Sequence, residues 1–285
     1  MTRNQRARFF AFATAAGLIG AAAAPVYAAD DADHVSVELI SEHMALAPGQ
    51  TLELGILLKH EPHWHTYWIN PGDSGLPTTL AWTLPPGVKT QDVAWPMPKR
   101  FEVGGLYNFG YDGDVVLPVA ISVPADAAPG SKAHIAVDAK WLVCREECIP
   151  GKKTMTLDLP IATKDNPPKP DGRWTMQFSA ARLAEPQATA WKATNASDGD
   201  RIIVTLRGPS LPAADGLDAF VAQRKLVDNK PPRITTTGDA LIVDLGKSEY
   251  FGTPPESFDL VLTQPSAAGV RGWRVQVPFA ANAAP

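Results

Sequence analysis

Residues 51–58 place Leu52, Leu54, Ile56 and Leu58 at every second position. This spacing is that of a half-buried β-strand, because successive side chains of a strand point to opposite faces. The same alternation returns in residues 34–40, through Val35, Val37 and Leu39, and in residues 115–123, 133–143 and 154–159. Proline (27) and glycine (22) make up more than a sixth of the 285 residues and punctuate these runs. Short period-two runs bounded by turn residues predict an antiparallel β-sandwich.

Residues 164–172, Lys-Asp-Asn-Pro-Pro-Lys-Pro-Asp-Gly, break the pattern. They are polar and proline-rich and read as a semi-rigid linker. Beyond them, residues 174–183 suit a short helix. Residues 201–206, 233–237, 240–245, 258–262 and 272–277 suit strands of a second, smaller β-rich domain. The expected division is a signal peptide (1–28), a β-sandwich (29–163), a linker (164–172) and the second domain (173–285).

The signal peptide is read from Arg3, Arg6 and Arg8, followed by a charge-free apolar run over residues 9–24 and then by Val26-Tyr27-Ala28. The run is shorter than the ~20 apolar residues of a spanning helix. Export outside the cytosol, most simply to a bacterial periplasm, is expected, with no membrane insertion after cleavage. Removing the three arginines with residues 1–28 takes the formal net charge from −4 to −7 over 257 residues. An acidic chain of this kind makes a poor nucleic-acid partner.

The only two cysteines, Cys144 and Cys148, are separated by three residues. An extended chain would hold them ~13 Å apart, whereas a disulfide needs Cα atoms about 4.4–6.8 Å apart. The backbone must therefore turn back between them, at a hairpin tip or strand end, with Pro150-Gly151 read as a turn. As a staple the bond would be weak. Closing a five-residue ring contributes only ~2 kcal/mol in the chain-entropy view, and it joins residues that are already neighbours. A reactive and a merely structural disulfide both stay open on these grounds. Glu146 and Glu147 disfavour a thiolate, with Arg145 offsetting them in part, so a reducing or neutral couple is expected.

Three stretches in order carry a resemblance. They are His65-Thr66-Tyr67-Trp68-Ile69-Asn70-Pro71-Gly72-Asp73-Ser74-Gly75-Leu76-Pro77, Phe109-Gly110-Tyr111-Asp112-Gly113, and the Cys144/Cys148 loop with Lys152-Lys153-Thr154-Met155 after it. Over residues 34–162 the chain resembles the N-terminal periplasmic domain of the DsbD/ScsB thiol:disulfide reductase family. The later residues, including Leu226-Val227-Asp228-Asn229, look like the region that follows in the ScsB branch.

The resemblance implies an immunoglobulin-like sandwich whose cysteines take electrons from a membrane-embedded partner. It passes them to periplasmic thioredoxin-fold proteins, in processes that include cytochrome c biogenesis. It implies Cys148 as the sulfur that meets partners and Cys144 as its resolving mate. It also implies a cap loop over the disulfide, here the segment holding Phe101, Glu102, Leu106 and Tyr107, with Phe101 or Tyr107 as the shield. The cysteine spacing is tighter than in DsbD. With neither a transmembrane segment nor a thioredoxin-like domain before Pro285, a separate membrane electron-transfer protein would have to reduce the pair. No metal or organic cofactor is needed.

Other readings compete. A non-catalytic sandwich that binds a protein partner would need the disulfide only as structure. His60, His63 and His65 could hold copper, and His63 and His65 would share a face of an extended strand. Their alternative is to be solvated or packed beside Trp64 and Trp68. Trp64, Trp68, Trp82, Trp95 and Trp141 could stack on sugars, but core packing is the favoured reading. Asp73 and Ser74 lack a nucleophile elbow and are better explained as turn chemistry.

Overall fold

The computed structural model describes residues 34–267 and 269–279; the expected signal peptide lies outside them. The architecture is almost entirely antiparallel β. In the first unit the strands are β1 (Val35–Ser41), β2 (Thr51–His60), β3 (Thr66–Gly72), β4 (Thr79–Thr83), β5 (Lys89–Val93), β6 (Lys99–Val103), β7 (Leu106–Tyr111), β8 (Asp114–Ser122), β9 (Lys132–Cys144) and β10 (Cys148–Pro160). They form sheets in the orders β1-β2-β8-β5, β10-β9-β4 and β3-β7-β6. The alternation read from the sequence does its expected work. Leu52, Leu54, Ile56 and Leu58 of β2 and Ile135, Val137, Ala139, Trp141 and Val143 of β9 enter one common core. Trp64 and Trp68 join it, and Trp82 and Trp95 pack against it.

One helix, α1 (Thr175–Ala184), follows. It is amphipathic only through a short stripe. Phe178 and Ala181 bury against Ile40, Leu57 and Val116 on the outer face of β1, β2 and β8. Arg182 reaches Glu42 at 2.8 Å and Glu53 at 3.3 Å. The helix is thus a lid on the first sandwich, although it follows the segment expected to be a linker. That segment is itself pinned. The Met44 amide donates to the Lys169 carbonyl (2.9 Å) and the Asp171 amide to the Glu42 carbonyl (2.8 Å).

The second unit stacks two sheets of its own around a separate core that includes Val204, Val243, Leu260 and Val275. One sheet runs Lys192–Asp198, Arg201–Arg207, Ala240–Gly246 and Arg233–Thr237. The other runs Gln187–Ala188, Gly269–Pro278, Ser257–Ser266 and Asp218–Val221.

The two units meet over an apolar and ionic contact. Phe220 packs edge-on against Trp68 and Phe109, with ring centroids at 6.2 and 5.1 Å. Arg100 of β6 lies over both phenylalanine rings, at 4.7 and 5.0 Å. Its guanidinium binds Asp218 with two bonds of 3.0 and 2.7 Å and donates to the carbonyls of Ala219 (2.9 Å) and Asn229. Asn70 adds a buried bond of 2.8 Å to the Val221 carbonyl.

Candidate functional site

Cys144 ends β9 and Cys148 begins β10, so the cysteines face each other as the last pair of a long antiparallel hairpin. Their Cα atoms are 4.2 Å apart and the sulfurs are bonded. The expectation of a hairpin tip holds, but the turn is Arg145-Glu146-Glu147. Pro150 and Gly151 are inside β10, opposite Leu142 and Trp141. Glycine is required there because the Trp141 indole lies across it. A Cβ on Gly151 would come within 2.4 Å of the ring.

The two sulfurs are not equivalent. Cys144 is 3% exposed, whereas Cys148 is exposed at the surface. Burial of Cys144 comes from the residues at the entry to β3. His65 and Cys144 exchange both backbone hydrogen bonds, each 2.9 Å. Two residues on, the Tyr67 hydroxyl donates to Cys144 Sγ at 2.8 Å and lies 3.3 Å from Cys148 Sγ. Burial raises the Tyr67 pKa, so the hydroxyl keeps its proton and remains a donor. Gly75 lets the chain pass close over this ring, in a left-handed conformation (φ 90°) and with room for no side chain.

The sequence motif around residues 65–77 contains Tyr67, but nothing in its spacing aims a hydroxyl at a cysteine 77 positions away. The tyrosine is the functional candidate that sequence reasoning alone did not single out.

Phe101 is half-buried on β6 and stacks on the His65 ring, with centroids 4.6 Å apart. His65 in turn meets Tyr67 edge-on at 5.3 Å. A layer of Phe101, His65 and Tyr67 therefore builds outward from the disulfide. Glu102 and Leu106 are exposed at the β6–β7 turn. The Tyr107 amide donates to Asp73 at 2.7 Å, and Asp73 also accepts from Asn229 of the second unit at 2.8 Å. Asp73 thus ties the β7 end and the second unit together, in addition to its place in the turn. Ser74 donates to Asn108 at 2.9 Å.

The three histidines part ways. His63 is exposed, in a left-handed conformation (φ 71°), so it does not share a strand face with His65. His60 donates through Nδ1 to the Gly113 carbonyl (2.6 Å) and accepts from Thr66 through Nε2 (2.9 Å). His65 is buried, its Nε2 has no hydrogen-bond partner, and desolvation, with a smaller contribution from His60, lowers its pKa to about 4. Among the described residues no group of three or more His, Cys, Asp or Glu side chains gathers as a metal site. At the tip, Arg145 leans back over the Trp64 ring at 5.3 Å, while Glu146 and Glu147 are exposed.

The fold and the site define a class: an immunoglobulin-like β-sandwich whose β9–β10 hairpin ends in a disulfide with one covered and one open sulfur. Residues 36–160 match the family model described as thiol:disulfide interchange protein DsbD, N-terminal. Among solved structures the chain is similar to the N-terminal periplasmic domain of ScsB from Proteus mirabilis, with a TM-score of 0.63 and 18% identity. The likeness covers 87% of this chain and 94% of that one, so the fold similarity includes the second unit. A protein of unknown function from Porphyromonas gingivalis W83 (TM-score 0.24, 11% identity, 86% of this chain and 99% of that chain) and the sporulation control protein Spo0M from Bacillus subtilis (TM-score 0.24, 9% identity, 85% and 89%) match at scores too low to indicate a common fold. No curated protein sequence matches the chain. Among the described residues no helix is long and apolar enough to cross a membrane.

Proposed function

We propose that the chain is a periplasmic thiol:disulfide exchange module with Cys148 as the sulfur that meets partners and Cys144 as the resolving sulfur. The observation that carries this reading is the asymmetry of the pair within a DsbD-type domain. Cys148 is open to solvent, and Cys144 is buried under a hydroxyl that donates to it.

In-line attack needs access to one sulfur and a stabilised leaving group at the other. A donor thiolate attacks Cys148 Sγ, the S–S bond breaks, and Cys144 leaves as a thiolate that accepts the Tyr67 hydrogen bond. The donor's second thiolate then attacks its own sulfur in the mixed disulfide and frees Cys148. Two electrons have moved from the donor, which leaves as a disulfide. In the forward half, the Cys148 thiolate attacks the disulfide of a thioredoxin-fold acceptor. Cys144 then closes back on Cys148 and releases the acceptor as a dithiol. The donor is a separate membrane electron-transfer protein. Phe101, stacked on His65, is the shield of the cap segment. No metal or organic cofactor enters either half.

The test is Cys144→Ser, which leaves Cys148 free to hold a mixed disulfide. Covalent complexes with periplasmic thioredoxin-fold proteins, absent in Cys148→Ser, are expected. No complex, together with a reduction potential below about −300 mV, marks the bond as structural.

A further inference from the structure

The geometry points to a docking groove for the exchange partner on the outer face of the β9–β10 hairpin. Its occupant would be a partner segment that is apolar beside the partner cysteine and flanked there by carboxylates. The inference rests on the exchange reading and adds to it the chemistry of the surface that is recognised.

Residues opposite each other in an antiparallel pair share a face, and every second residue returns to that face. The register pairs Cys144 with Cys148, Leu142 with Pro150 and Lys140 with Lys152. Trp141 and Val143 point the other way, into the core. The strip that leads away from the sulfurs is therefore Leu142–Pro150 and then Lys140–Lys152. Leu76, 55% exposed, borders it from the β3–β4 connection. Arg224 closes it from the second unit, and the groove encloses about 630 Å3. Its floor is apolar, and all three of its charged residues are cations.

The charge pattern is out of keeping with the rest of the hairpin. Farther along the same ladder, polar pairs are matched: His134 meets Asp158 at 2.7 Å, and Thr154 donates to Asp138. Only toward the disulfide end, four residues along each strand from the cysteines, do two like charges, Lys140 and Lys152, stand directly opposite each other. Directly opposed like charges destabilise a sheet. Neither lysine has a carboxylate partner among the described residues. A ligand bringing carboxylates to this rim relieves that repulsion, while its apolar part covers Leu76, Leu142 and Pro150. Pro150 is two residues from Cys148, so a partner cysteine can reach the open sulfur while its neighbours fill the groove.

Two cysteine peptides of equal length serve as probes, one with leucine and two glutamates around the cysteine and one with the glutamates replaced by lysines. Each reduces the oxidised full chain, and each rate is divided by that of dithiothreitol with the same protein. The native chain is expected to favour the acidic peptide by tenfold or more, with the preference falling as salt rises. The Lys140→Glu/Lys152→Glu chain is expected to favour the basic one. Leu76→Ser should slow the acidic peptide but not a version with serine in place of leucine. Equal preference in the native and charge-reversed chains overturns the groove. If the preference inverts but Cys148 captures no thioredoxin-fold protein, the exchange reading fails and the groove stands. If Cys148 captures partners at the same rate in both chains, the groove fails alone.

Discussion

The Tyr67 hydroxyl donates to the sulfur of Cys144 across 77 positions of chain, at 2.8 Å. A hydroxyl bonds a thiolate more strongly than a disulfide sulfur, so it favours the reduced pair and the departure of Cys144. This works against Glu146 and Glu147, which disfavour thiolate from the tip. Tyr67→Phe is expected to make the reduction potential more negative by about 30 mV, the equivalent of about 1.4 kcal/mol. Equilibration with a glutathione or dithiothreitol buffer measures it, and an unchanged potential removes the hydroxyl from the chemistry.

Phe101 covers His65, whose backbone is paired with Cys144. Phe101→Ala should speed reduction by dithiothreitol several-fold while costing about 2 kcal/mol of stability. A loss of stability without faster reduction would make Phe101 a packing residue rather than a shield.

Arg100 is nine-tenths buried and holds Asp218 from across the inter-unit contact. Removing it leaves Asp218 unpaired and strips a cation from two aromatic rings. Arg100→Ala should cost about 3 kcal/mol or more and split a single unfolding transition into two, visible by calorimetry. One transition with an unchanged midpoint would show that the units are coupled by other contacts.

His65 is held neutral by burial, with a pKa of about 4 against an ordinary 6.5. Between these values the unfolded chain binds a proton that the folded chain refuses, so stability rises with pH. Its contribution is complete above pH 6.5 and is lost as pH falls toward 4, at up to about 1.4 kcal/mol per pH unit. Urea titrations from pH 4 to 7.5 should show this slope in the native chain and a shallower one in His65→Gln.

The strands that fill the cores were legible because one face is buried along their whole length. β9 alternates cleanly, β2 keeps Leu52, Leu54, Ile56 and Leu58 on the core face although α1 also buries Leu57 on the other, and strand Arg233–Thr237 falls where the sequence places it. The start of β10 was obscured because Pro150-Gly151 has the composition of a turn, while its glycine answers to Trp141 on the facing strand. The β6–β7 hairpin carries no clear alternation, since its burial is set partly by Phe220 from the second unit. The cysteines were visible, but the inequality of their sulfurs was not, because His65 and Tyr67 create it from another sheet.

The position of α1 bears on how the protein can be cut. A fragment ending at residue 163 would match the DsbD-type segment closely, yet it would lose Phe178 and Ala181. Ile40, Leu57 and Val116 would then face water from the middle of a sheet. Such a patch invites self-association, so the shorter fragment should be sticky and poorly expressed. A fragment ending after Ala184 keeps that face covered, though it still bares Trp68 and Phe109 where Phe220 had been.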